Sequence, residues 1–565
     1  MMKFNDYKYV RPNIEEVKSN VRGLIKEFER ATSFNEENEL LKKINKIRSE
    51  VDTMSNLVYI RHTVNTNDEF YESEQNYLDE VMPLYEEVVS EVYKVLIKSK
   101  FKNELEDVWG KQLFRLAEMA LKSFSPEIIE ELQQENKLVS QYTKLMASAK
   151  IMFEGEERNL SQLGPFMQSK DREMRKRAYA ASNSFYEENE EKIDAIFDEL
   201  VKVRTKMAKK LGYNNFVELA YLRLNRSDYN AEMAANYRNQ ILEYVVPVAC
   251  KLKERQAKRL NLENLKYYDN NLEFLSGNAT PKGDSEWIIK NGMKMYDELS
   301  AETSEFFRYM VDRDLMDLVS KKGKRGGGYC TFITEYKSPY IFSNFNGTSG
   351  DVDVLTHEAG HAFQAYCSRN LGVVEYSFPT YEASEIHSTA MEFLAWPWMN
   401  LFFEEDVDKY KFTHLSGAMT FMPYGVTVDE FQHFVYEKPD ATPMERKAMW
   451  REIEKKYLPY KDYEECDFLN KGTWWYRQNH IFATPFYYID YTLAQVCALE
   501  FWVKAGKDRE STWNDYLRLC KAGGSKSFLE LVELANLKNP FENGCIEKII
   551  PTVEEWLESI DDRVM

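Results

Sequence analysis

The chain has 565 residues, with 93 Asp and Glu against 74 Lys and Arg, and its formal net charge at pH 7 is −19. This acidic balance argues against a nucleic-acid partner, because phosphate binding needs a concentrated basic surface. Apolar runs such as 394–403 contain Pro397 and Asn400 and are shorter than the roughly 20 residues that span a bilayer, so no membrane segment is predicted.

The amino-terminal sequence and the cysteines predict a cytoplasmic protein. Residues 1–6 are not followed by the apolar core of a signal peptide. The seven cysteines are scattered without a C-x-x-C pair, which is typical of reduced thiols. Among them, Cys367 is predicted to be a small buried hydrophobic residue rather than a reactive thiol.

The spacing of apolar residues predicts a mainly α fold. Residues 13–210 are dominated by charged segments with apolar residues three and four positions apart, for example Val17, Val21 and Ile25. No linker rich in Pro, Gly or Ser divides the chain. We expect an amino-terminal helical lobe over residues 1–200 and a second region over residues 201–565 that contains the candidate site.

Two short strands are predicted between these helical regions. Residues 326–334 and 339–347 are rich in β-branched and aromatic residues and are bounded by turn signals. They are expected to form a small sheet, whose exposed edge can pair with the main chain of a peptide. The glycine run at 323–328 lacks the G-x-x-x-x-G-K-[ST] pattern of a phosphate loop.

Residues 357–361 have the sequence H-E-A-G-H. His357 and His361 are four residues apart, so on a helix both imidazoles can bind one zinc ion while Glu358 reaches a water beside it. A chance match is expected on the order of 0.01 times in a chain with seven histidines. Gly360 costs a helix about 1 kcal/mol relative to Ala, which indicates that another segment approaches closely there. The motif predicts a metallopeptidase site with Glu358 as the base.

A catalytic zinc site needs a third protein ligand. The segment 381–396 has helical spacing and offers Glu382, Glu385, His387 and Glu392. Glu385 and Glu392 project from similar faces of such a helix, so one can bind the metal while the other supports a ligand. Glu382 is a weaker candidate for the supporting role. His387 competes with Glu385 as a ligand, although side chains two positions apart on a helix diverge.

The stretch 476–494 contains His480 and a cluster of tyrosines. Attack on a peptide carbonyl creates an oxyanion, which His and Tyr donors stabilise. His480, Tyr488 and Tyr491 can supply such donors. The alternative is that the tyrosines form a packing surface, and this applies most to Tyr487 and Tyr488. His433, in a separate helical segment, is assigned no chemical role.

Three segments together resemble the thimet oligopeptidase and oligoendopeptidase F family of zinc metallopeptidases. They are the run Asp353-Val-Leu-Thr-His-Glu-Ala-Gly-His-Ala-Phe, the segment Glu385-Ile-His-Ser, and His480 with its tyrosines. The resemblance covers about residues 327–495. It is strongest to bacterial intracellular oligoendopeptidase F-like enzymes, including those that cleave collagen-derived peptides.

The resemblance implies roles for individual residues. Glu385 would be the third zinc ligand, Glu392 a supporting glutamate, His480 a transition-state residue and Tyr491 the final catalytic tyrosine. Two features depart from the family pattern. His387 stands where mammalian members resemble E-V-P-S, and the tyrosine spacing after His480 differs, so the choice between the tyrosines stays open.

The resemblance also implies two helical lobes around a deep channel with zinc on its floor. The resemblance implies a zinc-dependent endopeptidase that binds one zinc per chain and cleaves short unfolded peptides. Its catalytic region would be residues 201–565. Two alternatives remain. One is a zinc carboxypeptidase on a similar helical fold, which would capture the terminal carboxylate of its substrate. The other is a catalytically silent helical scaffold.

Overall fold

Helices make up most of the computed structural model, which describes residues 2–565. The helices are α1 (Ile14–Arg30), α2 (Phe34–Val64), α3 (Glu69–Ile97), α4 (Lys102–Trp109), α5 (Lys111–Ser123), α6 (Ile129–Ala147), α7 (Gly164–Met167), α8 (Arg172–Glu188), α9 (Glu190–Lys210), α10 (Phe216–Arg223), α11 (Ala231–Gln240), α12 (Val246–Arg259), α13 (Ser285–Leu299), α14 (Ala301–Asp312), α15 (Gly350–Ser368), α16 (Tyr381–Leu394), α17 (Asn400–Phe403), α18 (Val407–Glu437), α19 (Pro443–Tyr457), α20 (Asp467–Asn470), α21 (Asn479–Ala483), α22 (Tyr488–Ala505), α23 (Arg509–Ala522), α24 (Phe528–Leu534) and α25 (Cys545–Ser559). The strands are β1 (Ile151–Phe153), β2 (Glu156–Arg158), β3 (Met316–Val319), β4 (Tyr329–Ile333) and β5 (Ser338–Phe345). The prediction of a mainly α fold with a small sheet is confirmed.

The buried apolar residues form a smaller and a larger core. In the amino-terminal part, Asn13 caps α1 by accepting from the Glu16 backbone N–H, and the predicted stripe of α1 is buried through Val21, Ile25 and Phe28. This stripe packs with α2 to α5 in the smaller core. The larger core runs from the amino terminus through α6 to α25 and contains the helices around the H-E-A-G-H motif. The predicted division of the chain near residue 200 stays a prediction.

The predicted strand pair is confirmed as β4 and β5, which run antiparallel with Tyr329 opposite Phe342. The sequence did not predict β3, a short strand that runs parallel to β5 with Met316 opposite Ile341. The order in the sheet is β3, β5, β4, so β5 is central and almost entirely buried, while β4 is an edge strand. The sheet packs against α15, the helix of the motif.

The position of the site depends on close packing of α15, α16 and α22. A Cβ atom added to Gly360 of α15 would lie 2.5 Å from the His387 carbonyl oxygen and 2.6 Å from the Ser388 Cα atom of α16. The segment predicted to approach Gly360 is therefore the backbone of α16. Among residues 2–565, no helix combines the length and apolarity needed to cross a bilayer.

We expect Gly360→Ala to lower stability, because the added methyl group would force two backbones apart, and overpacking of this kind costs about 1–3 kcal/mol. Gly417→Ala is the matched control, because Gly417 lies in α18 and a Cβ atom there meets no atom within 4 Å. In an exposed helix interior this change should raise stability by roughly 0.5–1 kcal/mol. Thermal unfolding midpoints of the two variants would test the prediction. An equal increase of the unfolding midpoint in both variants would contradict the close approach of α15 and α16.

Candidate metal and catalytic site

Three side chains from two helices converge on one point. The Nε2 atoms of His357 and His361 lie 3.2 and 3.3 Å from Oε2 of Glu385. One ligand atom from each residue lies within 4.8 Å of the others, and among the described residues no second group of three or more His, Cys, Asp or Glu comes together in this way. Their side chains are 23%, 12% and 3% exposed, so the histidines remain accessible while the carboxylate is buried.

His357 is fixed by a relay of partly buried hydrogen bonds. Its Nδ1–H donates to Oε1 of Glu392 over 2.7 Å, and the other Glu392 oxygen accepts from His414 Nε2–H, also over 2.7 Å. The indole N–H of Trp396, which can only donate, is 3.2 Å from His414 Nδ1. The proton of His414 must therefore be on Nε2. Because Glu392 accepts the Nδ1 proton of His357, Nε2 is the His357 nitrogen that faces Glu385 and that a metal ion could bind in place of a proton.

The charges of this group are mutually dependent. Burial raises the pKa of the Glu385 and Glu392 carboxyls, but the neighbouring histidines outweigh burial and bring both below the usual range. Burial lowers the pKa of His357, yet its hydrogen bonds to the two glutamates raise it overall. Both carboxylates are thus ionised at neutral pH, as ligands and supporting groups of a cation must be.

Glu358 lies beside this group without a fixed partner. Its Oε2 atom is buried and makes no hydrogen bond within residues 2–565. Its Oε1 atom is 3.2 Å from the position of a Cβ atom on Gly328, just before β4, so any larger residue there would crowd the carboxylate. Burial raises the pKa of Glu358, which suits a carboxylate that must accept a proton from water.

Tyr487 contacts the candidate ligand Glu385 directly, which the sequence did not predict. Its hydroxyl donates to Oε1 of Glu385, while Oε2 accepts from the Ser388 hydroxyl over 2.9 Å and faces both histidines. The bond to Tyr487 occupies one oxygen and leaves the other for a metal ion. The packing role considered for Tyr487 is therefore incomplete. Its spacing to Glu385 in sequence, 102 residues, carries no signal of the contact.

A strained turn places Tyr487. Phe486 has φ of 69°, a left-handed conformation that is uncommon for an aromatic residue. Its N–H donates to the Gln432 side chain over 2.8 Å, and its carbonyl accepts from the Arg226 guanidinium over 2.7 Å. Arg226 also pairs with Asp490 in the first turn of α22. These buried bonds hold the backbone in the conformation that points Tyr487 at Glu385.

His480 and Tyr491 lie beside Tyr487. The Tyr491 hydroxyl is 3.4 Å from His480 Nε2, and the ring centroids of Tyr487 and Tyr491 are 4.9 Å apart. The His480 Nδ1 atom is 2.7 Å from the Gln478 side-chain amide. Burial lowers the pKa of His480 to about 4, so its imidazole is neutral at pH 7.

The ring of Tyr488 packs against Tyr424 and Phe421 of α18. Its ring packs edge-on against Tyr424 and Phe421, with centroids 5.7 and 5.8 Å apart, and its centroid is 5.0 Å from that of His480. The geometry thus brings the Tyr491 hydroxyl to the His480 nitrogen and gives Tyr488 a packing position.

Glu382 is not brought to the candidate ligands. Both of its carboxylate oxygens are buried and make no hydrogen bond within residues 2–565. Burial and the charge of Asp490 raise its pKa well above the usual range. This corrects the suggestion that Glu382 supports a metal ligand, because orienting a histidine requires a hydrogen bond to it.

The other residues considered from sequence lie away from the convergence point. His387 is fully buried, its Nδ1 atom bonds to the Ala383 carbonyl, and burial lowers its pKa to about 4. His433 packs beside Tyr221 and Asp429. All seven cysteines are free, and burial raises the pKa of Cys367 to about 12, so its thiol stays protonated.

Comparison with known proteins identifies matching family models. A model described as Peptidase family M3 matches residues 165–549, which is more than half of the chain. A model described as Peptidase M3 N-terminal domain matches residues 4–124. An oligoendopeptidase F homolog of Borreliella burgdorferi is 24% identical over 429 residues, which cover 72% of this chain and 70% of that protein.

Solved structures match along the whole chain. The structure of PZ peptidase A with inhibitor 2 is 58% identical with a TM-score of 0.98, and the match covers 99% of this chain and 100% of the other. A crystal structure of a Bacillus anthracis protein described as an oligoendopeptidase F is 57% identical with a TM-score of 0.94, and covers 100% of both chains.

We expect Tyr487→Phe to weaken metal binding by about 10-fold or more, because loss of an outer hydrogen bond to a ligand typically costs 10- to 100-fold. The fold should be retained, since only a hydroxyl is removed. Tyr488→Phe is the matched control, because that ring packs against Tyr424 and Phe421. Competition with a chelator would measure both affinities. A loss confined to Tyr488→Phe would contradict the assignment of Tyr487.

Proposed function

The chain belongs to peptidase family M3, and on that premise we propose that it is a zinc-dependent endopeptidase that cleaves short unfolded oligopeptides in the cytoplasm. The observation that carries this proposal is the convergence of His357, His361 and Glu385 beside the unpartnered carboxylate of Glu358. Family membership indicates a metalloendopeptidase and argues against the silent scaffold considered above.

Zinc fits the donor set of this site. Two imidazole nitrogens and one carboxylate oxygen are a frequent ligand set of catalytic zinc, which keeps a fourth position open. The relay through Glu392 and His414 gives His357 the tautomer with a free Nε2 lone pair. When bound, zinc would supply Lewis acidity that polarises the scissile carbonyl and lowers the pKa of water. A single group of this kind supports one zinc per chain.

The protein side chains transfer the proton, stabilise the oxyanion and orient a zinc ligand in this proposal. Glu358 takes a proton from the attacking water and passes it to the leaving amine. His480 and Tyr491 donate hydrogen bonds to the oxyanion that develops on the scissile carbonyl oxygen. Tyr487 holds Glu385 with one oxygen turned toward the histidines. Tyr488 contributes packing of the tyrosine cluster in this proposal.

We expect Glu358→Gln to retain zinc and lose most peptidase activity, because the amide is nearly isosteric and cannot take a proton from water. The substrates should be internally quenched peptides with both ends blocked, so that cleavage reports an endopeptidase. Elemental analysis would measure the zinc content of the same preparations.

Two outcomes would contradict the proposal. Wild-type protein that cuts only peptides with a free carboxyl end would be a carboxypeptidase, the alternative considered from the sequence. Wild-type protein that holds no zinc after purification without chelator, and gains no activity on zinc addition, would remove the zinc mechanism. Glu385→Ala provides an internal comparison, because it should lose zinc, whereas His387→Ala should retain it.

We also propose that collagen-derived Gly-Pro peptides are among the substrates, on the basis of the sequence resemblance. The cytoplasmic location is supported by the free thiols of all seven cysteines. We expect a mixed peptide library to show cleavage of Gly-Pro peptides alongside others when products are mapped by mass spectrometry. Sparing of every Gly-Pro peptide under conditions that cleave the rest would contradict this substrate assignment.

A further inference from the structure

Gln478 connects His480 to Tyr424 through two hydrogen bonds. The side-chain nitrogen of Gln478 is 2.7 Å from His480 Nδ1, and its side-chain oxygen is 3.0 Å from the Tyr424 hydroxyl. All three side chains are partly buried. Gln478 lies immediately before α21, which contains His480, and Tyr424 lies in α18. The two hydrogen bonds therefore connect the candidate oxyanion donor in α21 to α18.

The direction of these bonds follows from counting donors and acceptors. If the Gln478 amide N–H donates to His480 Nδ1, the Gln478 oxygen accepts the Tyr424 hydroxyl proton, and every group is satisfied. If the amide is reversed, it donates to the Tyr424 oxygen, and the Tyr424 hydroxyl proton has no other acceptor within residues 2–565. The Tyr424 hydroxyl itself is desolvated, because burial raises its pKa well above the usual range. A desolvated donor without a partner costs about 1–3 kcal/mol. The first arrangement is therefore favoured.

This direction decides which nitrogen of His480 carries the proton. An Nδ1 atom that accepts from Gln478 cannot hold a proton, so a neutral imidazole carries it on Nε2. The Nε2 atom faces the Tyr491 hydroxyl at 3.4 Å. The ring of Tyr491 lies 4.9 Å from that of Tyr487, the tyrosine that donates to Glu385. The His480 proton is thus on the nitrogen that faces Tyr491, the other oxyanion donor of the proposed function.

We propose that Gln478 is a positioning residue that sets the tautomer of His480 so that its Nε2–H is available to the oxyanion, with Tyr424 fixing the orientation of the Gln478 amide. The inference rests on the proposed function, in which His480 is an oxyanion donor. The titratable or charged groups that face His480 are Tyr487, Tyr488 and Tyr491, together with the charge of Glu385. None of the three tyrosines titrates near neutral pH, because burial raises the pKa of each.

The decisive variant is Gln478→Glu. A carboxylate at this position accepts a proton from Nδ1, so the neutral imidazole changes to the Nδ1–H tautomer and loses the donor at Nε2. The new carboxylate also raises the pKa of His480, because a neighbouring negative charge favours the imidazolium. As the pH falls, the imidazolium therefore forms, carries both protons and regains that donor. We therefore expect kcat of this variant to be about 100-fold below wild type at pH 8 and to approach wild type as the pH falls toward 6. KM should change much less.

Two further variants distinguish a change of the His480 tautomer from the loss of the hydrogen bonds alone and from the effect of an added negative charge. Gln478→Met removes both hydrogen bonds without adding charge, and should lower kcat by roughly 10-fold at every pH. Gln134→Glu adds the same charge on an exposed position of α6 and should follow the wild-type pH profile. A pH dependence confined to Gln478→Glu supports the inference. A Gln478→Glu profile parallel to wild type overturns it.

A direct measurement requires no activity. Nitrogen-15 spectra of the histidine side chains report which ring nitrogen carries the proton, and the chain has seven histidines. His480→Ala identifies the signal. We expect wild-type His480 to show an unprotonated Nδ1 at pH 7, and Gln478→Glu to show a protonated Nδ1. A protonated Nδ1 in the neutral wild-type ring would overturn the inference, even if the protein cleaves peptides. Absence of peptidase activity would instead contradict the proposed function, and the spectra would still decide the tautomer.

Discussion

The candidate site depends on how closely α15 and α16 pack. Gly360 allows the α15 backbone to lie against His387 and Ser388 of α16, and this approach brings Glu385 to within 3.2 and 3.3 Å of the two histidine nitrogens. A methyl group at position 360 would separate the helices by more than the tolerance of a metal coordination shell, which is about 0.2 Å. Glycine inside the helix lowers its stability, but at position 360 it allows the approach of α16 that places Glu385 beside the two histidines.

A second layer of hydrogen bonds fixes the candidate ligands His357 and Glu385. Glu392 fixes His357, His414 fixes Glu392, and Trp396 in turn fixes His414. Buried polar groups are costly when unpaired, so a relay of this kind favours one tautomer and one orientation. Two of the buried carboxylates that lack a partner are informative. The Glu358 oxygen without a partner lies beside the candidate ligands, as the proposed proton acceptor would, whereas the unpartnered oxygens of Glu382 lie beside Asp490 and Arg226.

The sequence predicted the parts of the site that depend on local geometry. The spacing of His357 and His361 within one helix is enough to place both rings on one face, and the helix containing Glu385 followed from its apolar periodicity. It also predicted β4 and β5, but not β3, whose four residues include Asp317 and pair only with a distant strand. Short strands of this kind lack a periodic signal and depend on the partner strand.

The sequence alone determined a mainly helical chain and the motif that carries its chemistry, because helices and ligand spacing are local properties of the polypeptide. Only the tertiary structure decided which tyrosine contacts Glu385, since that depends on the left-handed backbone of Phe486 and on its bonds to Gln432 and Arg226. It also decided that His414 completes the Glu392 relay and that Glu382 lies outside it. These contacts join residues that are tens to hundreds of positions apart, so only packing of the whole chain brings them together.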